Sequence, residues 1–190
     1  MIFIFIGPDM AGKTTLATSI CRRSILPYRK FSHYPTPEES VAAAEKVVDD
    51  LLMDIPSARV FDRFHFPDDL IYGPATNRYD IPQEIFIRYI DNVSKKLETL
   101  QASFIYCHAD LEVLNARYAE RGDDYIVPEY LPAIIAGYRK WLDSEYFDRF
   151  DILELDSGIL TPEKMVRITE EFIFKQLEVY RKQIRGYNRK

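Results

Sequence analysis

The chain has 190 residues, of which 47% are hydrophobic and 29% charged, and a formal net charge of −5 at pH 7. This length predicts one domain, alone or with a small insertion, and the composition is typical of a folded globular protein. The negative charge argues against a protein whose main work is to hold nucleic acid, and no apolar run approaches the roughly 20 residues of a membrane helix. Cys21 and Cys107 fall inside predicted elements without metal-ligand spacing, so we expect reduced thiols and a cytoplasmic protein.

The first half of the chain alternates predicted strands with predicted helices. The continuous apolar run Ile2–Ile6 predicts a strand covered on both faces, and a helix is expected over Lys13–Ser24. Thr36 is typical of a helix N-cap, and the helix that it begins is expected to run to about Met53. The stretch Phe64–Asp80 contains two prolines and a glycine, so we expect it to be irregular. Two shorter predicted strands are Arg29–Tyr34 and Ala58–Phe61.

The second half continues this alternation. A helical period of apolar residues predicts a long helix over Pro82–Leu100. Three further helices are expected, over Leu111–Glu120, over Pro128–Phe147, and from Pro162 to about Gln183; the remaining strands are Ser103–Cys107 and Ile152–Leu155. Strands that alternate with helices predict an α/β fold with a doubly wound parallel sheet.

One segment carries a complete phosphate-binding motif. Residues 7–14 read Gly-Pro-Asp-Met-Ala-Gly-Lys-Thr, which matches G-x-x-x-x-G-K-[ST] between a predicted strand and a predicted helix. Gly7 and Gly12 let the backbone curl so that its N–H groups meet phosphate oxygens at the positive end of the helix. Lys13 is expected to reach the β- and γ-phosphates of ATP, and Thr14 to bind Mg²⁺. The predicted ATP-binding set is Gly7, Pro8, Met10, Ala11, Gly12, Lys13, Thr14 and Thr15.

A phosphate-binding loop alone does not separate kinases from GTPases and motor ATPases. The chain has no Asn-Lys-x-Asp sequence to read guanine, and its third predicted strand ends in Asp62-Arg63 rather than Asp-Glu. The small size and a candidate lid favour a kinase that acts on a small acceptor.

Four features together resemble the thymidylate kinase-like group of nucleoside monophosphate kinases. They are Asp9 at the third position of the loop, Asp62-Arg63-Phe64 followed by Tyr72-Gly73, the arginine-bearing segment Arg117–Asp124, and Leu155-Asp156 followed by Pro162-Glu163. The likeness extends from Ile2 to about Ile173. It implies a single P-loop kinase domain over residues 1–190, with five parallel strands, helices on both faces and a small lid at about 115–128.

The resemblance also implies a role for each matched side chain. Arg63, at the carboxyl end of a strand, is expected to hold the acceptor phosphate, and Asp9 to contact the acceptor sugar or a metal-bound water. Thr14 and Asp62 are the expected Mg²⁺ residues. The implied catalytic set is Lys13, Asp9, Asp62, Arg63, Arg117 and Arg121, with the last two spread over the donor phosphates from one helix face. The implied acceptor-binding set is Asp9, Tyr34, Arg63, Phe64 and Tyr72.

Two of the chain's departures from the family's pattern concern arginines near the second strand and in the loop. The family usually has an arginine shortly after a Phe-Pro or Glu-Pro at the second strand, whereas Tyr34-Pro35-Thr36-Pro37 contains none. Met10 stands where some members carry a catalytic arginine.

The leading interpretation is a deoxynucleoside monophosphate kinase that uses ATP and Mg²⁺ in nucleotide biosynthesis and acts on dTMP or a related nucleotide. Alternatives are a deoxynucleoside kinase with Asp62 as base, a polynucleotide 5′-kinase, and a non-catalytic nucleotide-binding protein. An acid usually precedes the loop in nucleoside kinases, and here Ile6 stands there. The expected partners are small nucleotides, without membrane or nucleic acid. The family is commonly dimeric through helix packing, for which the apolar face of Pro82–Leu100 could serve unless it is core.

Overall fold

A five-stranded parallel sheet forms the centre of the protein. The computed structural model describes residues 1–31, 36–54, 57–121 and 128–187. The strands lie in the order β2-β3-β1-β4-β5, and every neighbouring pair is parallel. Their bounds are β1 Ile2–Ile6, β2 Tyr28–Lys30, β3 Arg59–Asp62, β4 Ala102–His108 and β5 Asp151–Asp156. Because the strands are parallel, the loops that follow them meet at one edge of the sheet.

Helices cover both faces of this sheet. Their bounds are α1 Lys13–Ser24, α2 Pro37–Met53, α3 His65–Ala75, α4 Gln83–Arg88, α5 Lys95–Thr99, α6 Leu111–Arg121, α7 Leu131–Leu142 and α8 Pro162–Tyr187. A π-helical turn, Tyr89–Ser94, joins α4 to α5, and a 3₁₀ turn, Pro128–Tyr130, precedes α7. None of the helices within the described ranges is long and apolar enough to cross a membrane.

The two faces of β1 belong to two separate hydrophobic cores. Ile2, Ile4 and Ile6 pack with residues of α2, α3 and α7, while Phe3 and Phe5 pack with residues of α1 and α8. Alternate side chains of a strand point to opposite faces, so an unbroken apolar strand needs a helix layer on each side. The structure thereby confirms the predicted three-layer α/β fold with five parallel strands.

Several predicted elements have the expected bounds. The strand Ile2–Ile6 and the helix Lys13–Ser24 occur as predicted, and α2 ends at Met53. The Thr36 hydroxyl caps α2 by accepting a hydrogen bond of 3.2 Å from the backbone N–H of Glu39.

The expectation of an irregular 64–80 segment is wrong, because this segment contains α3. Pro67 lies in the first turn of α3, where a proline removes no helical hydrogen bond, whereas Pro74 lies next to the last residue and removes one near the end of the helix. The second strand is shorter than expected, at Tyr28–Lys30, and residues 32–35 lie outside the described ranges. Of the predicted lid, residues up to Arg121 are helical and 122–127 lie outside those ranges.

Candidate nucleotide-binding site

The phosphate-binding loop and Arg63 lie side by side at the carboxyl edge of the sheet. β1 and β3 are neighbours in register, with Phe5 opposite Asp62. The backbone N–H of Arg63 donates to the carbonyl of Phe5 at 3.0 Å. Two motifs that are more than 50 residues apart in sequence therefore end at the same point of the fold.

The loop needs its two glycines for different reasons. Gly7 has a φ of +134°, and a Cβ there would lie 1.9 Å from the carbonyl oxygen of Cys107 on β4. Gly12 has a φ of +86° and open space around it, and it precedes α1 as an N-cap that offers no side-chain hydrogen bond. The first N–H groups of α1 lack a side-chain cap at this position, as expected where an anion is to bind. Thr14 and Thr15 are exposed on this first turn.

Lys13 is buried beneath the loop. Its ammonium donates a hydrogen bond of 2.6 Å to the carbonyl of Pro8, which closes the loop across its own residues. Burial, with a smaller contribution from Arg63, lowers the pKa of this ammonium to about 8, although Asp9, Asp68 and Asp62 act in the opposite direction. The group is therefore cationic at neutral pH, but at a cost in desolvation.

Arg63 is held between two carboxylates. Its Nη2 forms an ion pair with Asp9 of the loop, and its Nη1 lies 3.5 Å from Oδ2 of Asp68 on α3. The guanidinium also lies over the ring of Tyr72, 5.1 Å from its centre. The side chains of Arg63 and Asp9 are 14% and 13% exposed, and that of Asp68 only 1%.

Two tyrosines complete this arrangement. The Tyr72 hydroxyl donates to the carbonyl of Gly7 at 3.3 Å, and the Tyr138 hydroxyl donates to Oδ1 of Asp68 at 2.7 Å. Burial raises the pKa of both phenols well above the ordinary value, so both remain protonated donors. The sequence prediction missed Asp68 and Tyr138. Asp68 lies on α3 and Tyr138 on α7, so no local motif connects either residue with Arg63.

Asp62 lies at the end of β3 and is fully buried. Its Oδ2 accepts a hydrogen bond of 2.8 Å from the Tyr28 hydroxyl, whereas Oδ1 has no hydrogen-bond partner among the described residues. A buried carboxylate oxygen without a partner is costly and marks a place where a ligand or ordered water would bind.

Arg117 connects the loop to the segment after β5. One of its terminal nitrogens donates to Met10 O at 3.0 Å and Ser157 Oγ at 2.8 Å, and the other donates to Ser157 O at 2.5 Å. Ser157 in turn donates from its backbone N–H to His108 O at 2.7 Å. The sequence prediction missed Ser157. Arg117 was expected to reach donor phosphates, but in this structure its guanidinium is engaged by backbone and hydroxyl groups.

Arg117 and Arg121 line one cleft, as their four-residue spacing predicts. The cleft has a volume of about 310 Å³ and lies between the phosphate-binding loop and the start of α8. Its remaining lining includes Gly12 and Thr15 of the loop and the apolar side chains of Leu160, Met165 and Val166. A flat apolar ring with polar edges fits such a lining.

One predicted acceptor residue, Phe64, does not join the cluster around Arg63. Phe64 packs in the hydrophobic core, where its ring stacks on Phe61 with 5.8 Å between centres. Tyr34 lies outside the described ranges.

The comparisons with known proteins place the fold among nucleotide kinases. No family model matches the chain. The SPbeta prophage-derived uncharacterized protein YorR of Bacillus subtilis is 29% identical over 141 residues, which cover 73% of this chain and 80% of YorR. The crystal structure of YorR in complex with phosphorylated GDP has a TM-score of 0.70 at 22% identity, covering 95% of this chain and 98% of that one.

Two kinases of named activity share the same architecture. Deoxyadenosine kinase from M. mycoides, solved with dCMP and dCDP, has a TM-score of 0.63 at 18% identity, covering 92% of this chain and all of that one. Thymidylate kinase from Candida albicans also has a TM-score of 0.63, at 14% identity, covering 92% and 91% of the two chains. The chain thus has the fold that these P-loop nucleoside and nucleotide kinases share.

Proposed function

We propose that this protein is an ATP-dependent kinase that transfers the γ-phosphoryl group to a deoxynucleoside or to its monophosphate. One observation carries the proposal: Asp9 of a complete phosphate-binding loop is in direct contact with Arg63 at the end of the adjacent strand. Donor and acceptor groups would therefore meet over a few ångströms, and phosphoryl transfer depends mainly on such placement and on charge stabilisation.

The donor would occupy the loop and the neighbouring cleft. The N–H groups at the start of α1 and the Lys13 ammonium would bind its phosphates. Its base would enter the cleft lined by Arg117, Arg121 and the apolar residues of α8. The YorR structure with phosphorylated GDP supports a nucleotide of this size on the same fold.

The residues present also fit Mg²⁺. The Thr14 hydroxyl and the unpartnered Oδ1 of Asp62 are hard oxygen donors of the kind that Mg²⁺ takes. When bound, the ion would neutralise charge on the donor phosphates. Lys13 and the loop amides would hold those same phosphates in place.

Two acceptor classes each have support. The resemblance to thymidylate kinase-like enzymes, through Asp9 and Asp62-Arg63, favours a monophosphate that becomes a diphosphate. The ion pairs that Arg63 already makes with Asp9 and Asp68 favour an uncharged acceptor.

A coupled assay of ADP release tests the kinase function. ATP and Mg²⁺ are supplied with each of the four common deoxynucleosides, with their 5′-monophosphates, and with DNA carrying 5′-hydroxyl ends. ADP release that depends on one of the small acceptors is expected, and Lys13→Met should reduce it to background. The matched control is Lys175→Met, because Lys175 is exposed on α8.

The alternatives give different results in the same assay. Tight ATP binding without ADP release for any acceptor would contradict the proposal and favour a non-catalytic nucleotide-binding protein. ADP release with DNA ends alone would indicate a polynucleotide 5′-kinase.

A further inference from the structure

The acceptor side of the site carries more negative than positive charge. Asp9 and Asp68 both form ion pairs with Arg63. Two carboxylates thus oppose one cation, which leaves one negative charge in excess; Lys13 and Asp62 are not counted, because they are assigned to the donor phosphates and to Mg²⁺. The three side chains are at most 14% exposed, so solvent screens these charges weakly.

The cation best placed for an acceptor phosphate is already engaged. Arg63 has Asp9 on one terminal nitrogen and Asp68 near the other, while the ring of Tyr72 covers a face of the guanidinium. A phosphate that approaches the terminal nitrogens of Arg63 meets both carboxylates there. Its negative charge would lie close to Asp9 and Asp68 even if neither were displaced, and displacing Asp68 would weaken the pairing of a buried carboxylate, which is unfavourable.

Among the described residues, the other cations of this site belong to the donor side, where Arg117 and Arg121 line the cleft. Lys13 is needed for the donor phosphates, and the guanidinium of Arg117 is bonded to Met10 and Ser157. The internal segments 32–35, 55–56 and 122–127 contain no lysine or arginine, so they supply neither of these cations to the acceptor side of the site. A dianionic phosphate would enter a cluster that is already negative.

We propose that the acceptor presents an uncharged hydroxyl, that of a deoxynucleoside, and that Asp9 accepts its proton. This inference rests on the proposed kinase function. The hydroxyl oxygen forms a bond to the γ-phosphorus of ATP as the bond from that phosphorus to the bridging oxygen of ADP breaks. The proton passes to Asp9, which is more exposed than Asp68 and which can release it to solvent. The products are ADP, a deoxynucleoside monophosphate and one proton.

Asp68 becomes a specificity residue in this scheme. It keeps Arg63 neutralised and so rejects a charged acceptor, while its second oxygen is fixed by Tyr138. Repulsion between Asp68 and an acceptor phosphate would be strong enough to discriminate between a nucleoside and its own monophosphate, which differ only in that phosphate.

The first test compares each deoxynucleoside with its own 5′-monophosphate in the unmodified protein, with ATP and Mg²⁺ saturating. For the preferred base, kcat/KM should be at least about 100-fold higher for the nucleoside. Equal or better turnover of the monophosphate overturns the inference and leaves the kinase function standing. Absence of ADP release with every acceptor would instead overturn the proposed kinase function.

Two variants then test the two carboxylates separately. Asp68→Asn keeps an oxygen for the Tyr138 hydroxyl but removes a negative charge, so kcat/KM for the monophosphate should rise about 10-fold or more. Asp9→Asn should lower kcat for the nucleoside by about 10²- to 10⁴-fold. For the monophosphate, whose acceptor oxygen is already ionised, the same variant should raise kcat/KM, because it removes a negative charge beside Arg63.

Asp148→Asn is the matched control, because Asp148 is exposed, and it should change neither acceptor. Thermal melting shows whether each variant is folded. A folded Asp68→Asn protein that still rejects the monophosphate removes the role given to Asp68. A folded Asp9→Asn protein with unchanged nucleoside kcat removes the role given to Asp9.

Discussion

Replacement of Lys13 by methionine is expected to stabilise the nucleotide-free protein while it abolishes phosphoryl transfer. Lys13 is 4% exposed, and its ammonium must be desolvated in the folded state. Methionine fills similar space without a charge, so the variant removes this penalty. Functional groups that are held ready for a charged ligand commonly reduce stability in this way.

The size of the effect follows from the pKa. A fall from the ordinary value of 10.5 to about 8 means that folding disfavours the charged form of Lys13 by about 3 kcal/mol relative to the neutral form. This figure already includes the attraction of Asp9, Asp62 and Asp68. Loss of the hydrogen bond to Pro8 should destabilise the variant by about 1 kcal/mol. The free energy of unfolding of Lys13→Met at pH 7 should therefore exceed that of the unmodified protein by about 2 kcal/mol.

The pH dependence has a defined sign. Between pH 8 and 10.5 the unfolded chain keeps the Lys13 proton while the folded protein releases it, so the stability of the unmodified protein rises relative to the variant. Of the stability difference between the two proteins, about 2 kcal/mol should disappear between pH 7 and pH 9.5. The 13 tyrosines also approach titration there, but they are common to both proteins and cancel in the comparison.

Urea unfolding of both proteins at pH 7 and pH 9.5, without nucleotide, measures these differences. Lys175→Met provides the control for loss of one positive charge and should show no such pH-dependent difference. The reasoning is refuted if Lys13→Met is less stable at pH 7, or if its difference from the unmodified protein is the same at both pH values.

Two further predictions concern the backbone that holds the site. Gly7→Ala should lower the free energy of unfolding by more than about 3 kcal/mol, because its Cβ would overlap the Cys107 carbonyl. Gly12→Ala should lower it by only about 1 kcal/mol, because only backbone strain opposes a Cβ there. Similar losses for the two variants in urea unfolding would contradict this geometry. Thr36→Ala should lower the free energy of unfolding by about 1 kcal/mol, because it removes the cap of α2. It should leave kcat unchanged in the ADP-release assay. A large fall in kcat would indicate a second role for Thr36.

Local signals in the sequence were sufficient wherever one segment determines its own structure. The apolar run of β1 and the Thr36 cap of α2 are such signals, and both elements occur as predicted. The phosphate-binding loop is equally local, since its motif, its preceding strand and its following helix lie within about 25 residues. Its glycines adopt the positive φ values that the curled backbone requires.

Sequence signals whose meaning depends on their position within a helix gave less accurate predictions of secondary structure. Two prolines within 17 residues predict an irregular chain, but Pro67 and Pro74 lie at opposite ends of α3, and the helix forms between them. The π-helical turn at Tyr89–Ser94 interrupts a helix whose apolar period alone predicts regular geometry. Its Tyr89 hydroxyl lies 3.3 Å from Asp69, a buried residue of α3, so a tertiary contact accompanies the local change.

The charge environment of Arg63 is the part of the site that the motif could not reveal. A motif identifies which residue stands at a position, whereas the ligand that an arginine can bind depends on the groups already paired with it. Asp68 on α3 is such a partner, and it is in turn fixed by Tyr138, 70 residues further along the chain. The same Asp62-Arg63 sequence is therefore compatible with a phosphate-binding arginine when these partners are absent. When Asp9 and Asp68 hold the guanidinium, it is better suited to orient carboxylates around an uncharged hydroxyl.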